Sequence, residues 1–482
     1  MPKQRQLVVE SVVDAPRADA FAWHERPGAV ERLPPPWARA DVIENGGIRD
    51  GGRVVLDVDA PWPRKWVAVH EYFEPGRRFV DVQTQGPMPA WRHEHLFEDL
   101  DERPPTQAFR MIDRIAYRAP GGPLSGWVDR LALRPQLGAM FAHRHRILRD
   151  DFVQRATLPG PLPQRIAISG LGGLVGRALR PALTTLGAEV LRLRRASNLD
   201  KPSGEGEIVY CPAQGSADAR ALANAHAVVH LAGEPIMGRW TQAKKDEILR
   251  SRVDGTRAIA QALAELPEAD RPRTLVCASA IGYYGDQRDA GDPWCTESSP
   301  VGQGFLSDIA KAWEDACAPA RDAGVRVVNL RIGVVLDPRG GALQPMLLPF
   351  KLGLGGPIGA GGFYWSWVHI EDVVGAVVHT LCDPDLQGPV NLSAPEPATQ
   401  KAFAQTLGRV LKRPAFLPLP TAALHLRFGR ELVQAIMTAS IRVKPDALTQ
   451  AGYRFRFPAL EPALRSLLGR PGTETPADIT FR

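Results

Sequence analysis

The chain has 482 residues, 44% of them hydrophobic and 23% charged. That is the balance of a folded soluble protein of two or three domains, and it excludes a mainly disordered or collagen-like chain. No apolar run reaches about 18 residues, so no transmembrane helix is expected, and MPKQRQLVVE lacks the apolar core of a secretory signal. Five scattered cysteines without a C-x-x-C pair argue against a disulfide framework or structural zinc site and fit a cytoplasmic location. The net charge of +6 comes from arginines interleaved with acids, as in DRIAYRAP, so neither a nucleic-acid nor a membrane partner is expected.

Residues 1–155 read mainly as strands. VVESVVDAP, RVVLDVDAP, KWVAVHEYF, RFVDVQTQ, WRHEHLFEDL and AFRMIDRIAY show partial alternation of apolar and polar residues, broken by Pro and Gly. RADAFAWHE and a long segment from Leu124 to Arg155 read as helices. The pattern predicts an α+β domain whose antiparallel sheet curls around one long terminal helix. His93 and His95 share a strand face, but a metal site needs a third ligand that the sequence does not place, so none is assigned. His143 and His145 lie about 200° apart around a helix and are not expected to share a ligand.

TLPGPLPQ supplies a Pro-rich linker over 156–164. From 165 to 482, short apolar strands (RIAIS, EVLRL, AVVHLAG, TLVCASA, RVVNLRIGVVL) alternate with amphipathic helices, which predicts βαβ units and a doubly wound parallel sheet with a smaller substrate lobe over 340–482. RIAIS runs into Gly170-x-x-Gly173-x-x-Gly176 and a helix beginning near Leu174. Gly170 suits the tight turn, Gly173 lets backbone approach a pyrophosphate, and Gly176 allows close helix packing. The second strand ends in Arg194-Arg195, where an NAD site carries an acid for the ribose hydroxyl. Two guanidinium groups there suit a 2′-phosphate, so NADP is the expected cofactor and NAD the lesser alternative.

Two resemblances sharpen this reading. VVDAPRADAFAWHERPGAVERLPPPW, EPGRRFVDVQTQGPMPAWRHEHLFE and FAHRHRILRDDF resemble the START-like (SRPBCC) helix-grip fold, which implies a cavity for an apolar ligand in residues 1–155. From Arg165 onward, ISGLGGLVGRAL, VVHLAGEPIMGRWTQAKKDEILRSRVDGTRAIAQAL, SAIGYYGD, RIGVVLDPRGGAL and WSWVHIEDVVGAVVHTL resemble the epimerase-like group of extended short-chain dehydrogenase/reductases. The START-like fusion is an arrangement found in bacterial members. The second resemblance implies a Rossmann-type domain, with Leu231, Ala232, Gly233, Arg252 and Val335 beside the cofactor and Glu247 orienting Arg252. A surface ion pair is the alternative for Glu247 and Arg252.

The same resemblance puts Ser279 within one position of the family's catalytic Ser/Thr, although a strand-end hydroxyl bonded to backbone has the same sequence appearance. The family's Y-x-x-x-K pair is missing: none of the seven tyrosines precedes a lysine by four, and Ser307 and Lys311 stand in the matching register. Tyr283 and Tyr284 are the substitutes, without an obvious cationic neighbour. His369 and Asp372 are read as structural. Arg331, Trp365 and Trp367 are assigned to the substrate cleft, with core packing of the tryptophans as the alternative. These features imply an NADP-dependent oxidoreductase or sugar-nucleotide-epimerase-like enzyme acting by hydride transfer on a small-molecule substrate. The alternative is a non-catalytic NADP(H) sensor coupled to an apolar-ligand carrier. Substrate and oligomeric state are left open.

Overall fold

The computed structural model describes residues 4–59, 65–100, 107–197, 199, 204–470 and 479–481. Two compact units emerge. One comprises Met1–Thr157, Pro181–Gly187 and Arg465–Arg482, and the other Leu158–Arg180 and Ala188–Leu464. The expected domain 165–482 is therefore corrected at its C-terminus, since residues from Arg465 onward belong with the first unit. Residues 471–478 and 482 of the expected substrate lobe lie outside those described.

In the first unit, β1 (Arg5–Val13), β2 (Ala40–Asn45), β3 (Arg53–Val58), β4 (Lys65–Glu74), β5 (Arg78–Gln85), β6 (Ala90–Asp99) and β7 (Phe109–Arg118) form an antiparallel sheet in the order β2-β3-β4-β5-β6-β7-β1. A further strand, Ile479–Phe481, pairs antiparallel with β1. β1 and β6 bury every second residue, as expected of a sheet covered on one face. Phe141, Ile147 and Leu148 are buried on the covering helix, Arg134–Ala156. The helical path begins near Leu124 as expected and runs without a break to Ala156, with a five-residue π-turn at Asp129–Leu133 before the regular α-helix. β2 escaped the sequence reading, since ADVIEN is exposed at nearly every position and lacks an apolar stripe.

The second unit is built on β8 (Arg165–Ser169), β9 (Glu189–Arg195), β10 (Glu207–Cys211), β11 (Ser216–Ala217), β12 (Ala227–His230), β13 (Thr274–Ala280), β14 (Trp294–Cys295) and β15 (Arg326–Ile332). The main sheet runs β11-β10-β9-β8-β12-β13-β15 and ends on Gly388–Leu392. Its pairings are parallel except at β11. β14 stands apart, paired with Arg442–Val443. Near-continuous apolar strands such as RIAIS and AVVH form it because helices bury both faces. The chain leaves β8 toward β9 on one side and returns to β12 on the other. The crevice beyond the ends of β8 and β12 is thus the topological switch point, where ligands bind in such sheets.

His369 and Asp372 hold the start of one helix of this unit. His369 caps the helix Ile370–Cys382, its Nδ1 accepting from the Glu371 N–H at 3.0 Å, and its ring stacks on Phe457. Asp372 accepts the Arg456 and Phe457 N–H groups at 2.6 and 3.0 Å and the Tyr453 hydroxyl at 3.2 Å. Burial pushes its carboxyl up to about 6, against the pull of these donors. Asp372→Ala strands those donors in the interior. We expect it to cost about 2–4 kcal/mol in denaturant unfolding, with no direct effect on cofactor affinity.

Candidate functional site

The turn after β8 follows from its glycines. Gly170 has a φ of +74°, and a Cβ there would lie 2.9 Å from the Ala232 nitrogen. A Cβ on Gly176 would meet the Gly170 carbonyl oxygen at 2.3 Å, so the helix Leu174–Thr185 reaches the turn only with glycine at that position. Gly173 donates to the Gly170 oxygen at 2.9 Å and closes the turn. Space around Gly172 is open, and the first turn of the helix carries no acidic residue. Free N–H groups at such a helix start favour an anion.

A cleft of about 540 Å³ opens there, an ordinary size for a small-molecule site. Gly170, Ala232, Gly233, Arg194 and Arg195 all line it. Arg180, Arg192, Glu234 and Ser251 also line it and were not anticipated. Arg180 follows the glycine turn by one helical turn, the signal that could have found it. Arg194 donates from Nε to Glu207 at 3.1 Å, and Arg192 reaches the same carboxylate at 3.3 Å. Leu174 lies beside Gly340 and Gly341, with Val335 on the strand just before them.

A missed serine helps to organise the cleft. Ser169 Oγ accepts from the Leu231 and Ala232 N–H groups at 3.1 and 3.2 Å and lies 2.7 Å from His230 Nδ1. Burial lowers His230 to about 4, so its neutral ring accepts the serine proton. Its place at the last position of β8 gives the only signal for Ser169. Arg252 is held by the Glu234 and Ile248 carbonyls and sits 5.0 Å over the Trp313 ring, burial lowering its value to about 10. The expected Glu247 contact is corrected: five residues on a helix turn Glu247 about 140° away, and it pairs with Lys244 instead.

The candidate acid–base residues fall into a buried network. The Arg331 Nε and Nη2 donate to both Glu314 oxygens at 2.8 Å, and its Nη1 donates to Tyr284 at 3.0 Å. Burial opposes the charge on Arg331, but Glu314 and Tyr284 outweigh it and hold the guanidinium pKa above its usual value. Ser279 donates to Glu314 at 2.7 Å and Tyr284 to Asn391 at 2.6 Å, while burial pushes Tyr284 up to about 12. Arg331 is thus a core residue, which corrects its assignment to the substrate cleft. Trp365 and Trp367 are corrected likewise: both are buried, their indole N–H groups taken by the Met437 and Glu396 carbonyls. Tyr283 alone of the three hydroxyl candidates is partly exposed. The Arg331 guanidinium lies 3.5 Å over its ring, the cationic neighbour its sequence context does not reveal.

A model described as the NAD dependent epimerase/dehydratase family matches residues 166–392, and one described as a domain of unknown function matches 419–467. An epimerase family protein of Mycobacterium bovis is 38% identical over 308 residues, which are 64% of this chain and 98% of its own length. The chain belongs to the NAD-dependent epimerase/dehydratase family. Among solved members, human epimerase family protein SDR39U1 with NADPH is 36% identical and covers 63% of this chain and 99% of its own, with a TM-score of 0.55. A nucleoside-diphosphate sugar epimerase from Corynebacterium glutamicum is 31% identical, covering 96% of this chain and 90% of its own at a TM-score of 0.75. In this family member the helix Phe305–Asp315 carries no Y-x-x-x-K. Ser307 donates to the Gly282 carbonyl at 3.0 Å, and exposed Lys311 pairs with Asp315 at 2.5 Å.

His230 binds its proton more weakly folded than unfolded, so its contribution to stability is complete above about 6.5 and lost as pH falls toward 4. Between pH 7 and pH 5 the wild type is expected to lose about 2 kcal/mol more unfolding free energy than His230→Gln, read by urea denaturation at both values.

Proposed function

We propose that the second unit binds NADP(H) and acts as an oxidoreductase or sugar-nucleotide-epimerase-like enzyme. The carrying observation is the glycine turn opening onto a cleft lined by Arg194 and Arg195. The residues present fit the cofactor: open space at Gly172, the helix start behind it, and guanidinium groups at the ribose end of β9. The human relative's structure with NADPH supports the choice of phosphate-bearing cofactor. When bound, the nicotinamide supplies and takes back hydride. The chain's own part is positioning. Gly170 and Gly176 shape the phosphate cradle, Ala232 and Gly233 form its base through Ser169, and Arg252 braces Gly233 from behind. Arg194 grips the 2′-phosphate while Glu207 fixes its Nε edge.

Tyr283 is the proton donor and acceptor of this reading, because its ring is partly exposed and faces a guanidinium. Ser279 and Tyr284 position Arg331 behind it. A second reading, an NADP(H) sensor coupled to a START-like carrier in the first unit, draws on one observation. The hydroxyls of Ser279, Tyr284 and Ser307 are all engaged in internal hydrogen bonds.

Arg194→Asp is expected to weaken NADPH binding by about 10- to 100-fold and to leave NADH within about twofold, measured by calorimetric titration. Equal losses for both cofactors contradict the 2′-phosphate assignment. Tyr283→Phe should leave NADPH affinity unchanged and abolish cofactor oxidation across a panel of sugar nucleotides and carbonyl compounds. If the wild type binds NADPH tightly yet oxidises none in that panel, the sensor reading takes its place.

A further inference from the structure

The covered face of the first unit's sheet carries a group of ionisable side chains among aromatic rings. Asp81 on β5 lies opposite His93 on β6, and His95 on β6 lies opposite Asp113 on β7. Both histidines point to the covered face because they are two residues apart on one strand. The two imidazoles are therefore held between two carboxylates. Asp81 Oδ2 is 2.9 Å from His93 Nδ1 and 3.5 Å from His95 Nε2. Asp113 Oδ1 is 3.2 Å from His93 Nε2 and 3.0 Å from His95 Nδ1. The third ligand absent from the sequence reading is thus Asp81, twelve residues before His93 and one hairpin away.

Two features single out the Asp81 side. The ligand atoms of Asp81, His93 and His95 all lie within 4.8 Å of one another, so one ion can reach all three after small side-chain shifts. On the opposite side, His93 Nε2, His95 Nδ1 and Asp113 Oδ1 are buried and 3.0–3.2 Å apart without aligning as hydrogen bonds, an arrangement costly to leave in an interior. The side chain of Asp81 is 15% exposed, against 1% for His93 and 8% for His95, so solvent approaches from its edge.

We propose that Asp81, His93 and His95 form a binding site for one divalent transition-metal ion of the zinc or iron(II) type, with a further coordination position toward solvent. Two imidazoles and one carboxylate are a donor set common to both metals. The outer shell is in place as well. Asp113 Oδ1 stands beside the far nitrogen of each ring, and metal-bound histidines ordinarily give that N–H to a carboxylate. Asp113 Oδ2 lies 3.0 Å from His145 Nε2, whose Nδ1 is 2.6 Å from Ser11 Oγ. The Trp91 indole N–H donates to Asp81 Oδ1 at 3.2 Å and turns Oδ2 toward the rings. Phe79 stacks on His95 at 4.1 Å and Phe141 meets the His93 ring edge-on, which fixes both planes. A proton on His93 is the competing way to balance the two carboxylates, and metal titration separates the two.

The test uses the full chain without a tag, stripped with chelator and titrated with Co²⁺, whose visible absorption reports its ligands. The expected result is one equivalent bound with a new absorption band, displaced by one equivalent of Zn²⁺. His95→Gln and Asp81→Asn should each abolish the band, and Asp113→Asn should weaken binding by about 10- to 100-fold. X-ray absorption on the zinc-loaded wild type should show two imidazole ligands and oxygen, a readout that survives if the variants do not fold. Elemental analysis of protein as isolated distinguishes zinc from iron. A folded wild type that shows no spectral change at millimolar Co²⁺ overturns the proposal. So does a bound equivalent that persists in both His95→Gln and Asp81→Asn, or a zinc shell without two imidazoles.

Discussion

The ion pair between Arg331 and Glu314 fixes the middle of the second unit. A buried guanidinium without a carboxylate is very costly, so the two charges must meet, and the elements that carry them must meet too. Arg331 comes from β15 and Glu314 from the helix Phe305–Asp315, and Ser279 ties β13 to the same carboxylate. Tyr284 then joins Arg331 to Asn391 on the last strand of the sheet. Four pieces of the α/β framework are locked by one polar knot. On the helix that carries Glu314, Ser307 bonds inward to the Gly282 carbonyl, while Lys311 stays exposed and pairs with Asp315. Tyr283 lays its ring against the Arg331 guanidinium and is partly exposed.

Much of the architecture was legible because its signals are local. RIAIS followed by Gly170, Gly173 and Gly176 encodes strand, turn and helix within a dozen residues, and six of the first unit's strands carry their own alternation. β2 was not legible, because a strand exposed on most positions has no apolar stripe to read. Trp365 and Trp367 misled for a related reason. Aromatics beside a glycine-rich loop look like a cleft wall, and only the backbone carbonyls of Met437 and Glu396, more than two dozen positions on, show the indoles turned inward.

The site residues that sequence could not supply share one property: their roles arise from partners distant in the chain. Ser169 matters because Leu231 and Ala232 bring their N–H groups to it, and Glu314 because β15 lies alongside. The sheet of the first unit shows the same limit, since Asp81 and Asp113 reach the histidines through strand register alone.

The strand Ile479–Phe481, paired with β1, has a consequence for how the protein comes into being. The first unit's sheet acquires its last strand from the opposite end of the chain, so a ribosome that has released residues 1–157 has not yet supplied it. Until then the β1 edge stands open, with unpaired backbone groups that invite wrong partners. The two units are consecutive in most of their sequence, yet the first is completed only after the second has been made.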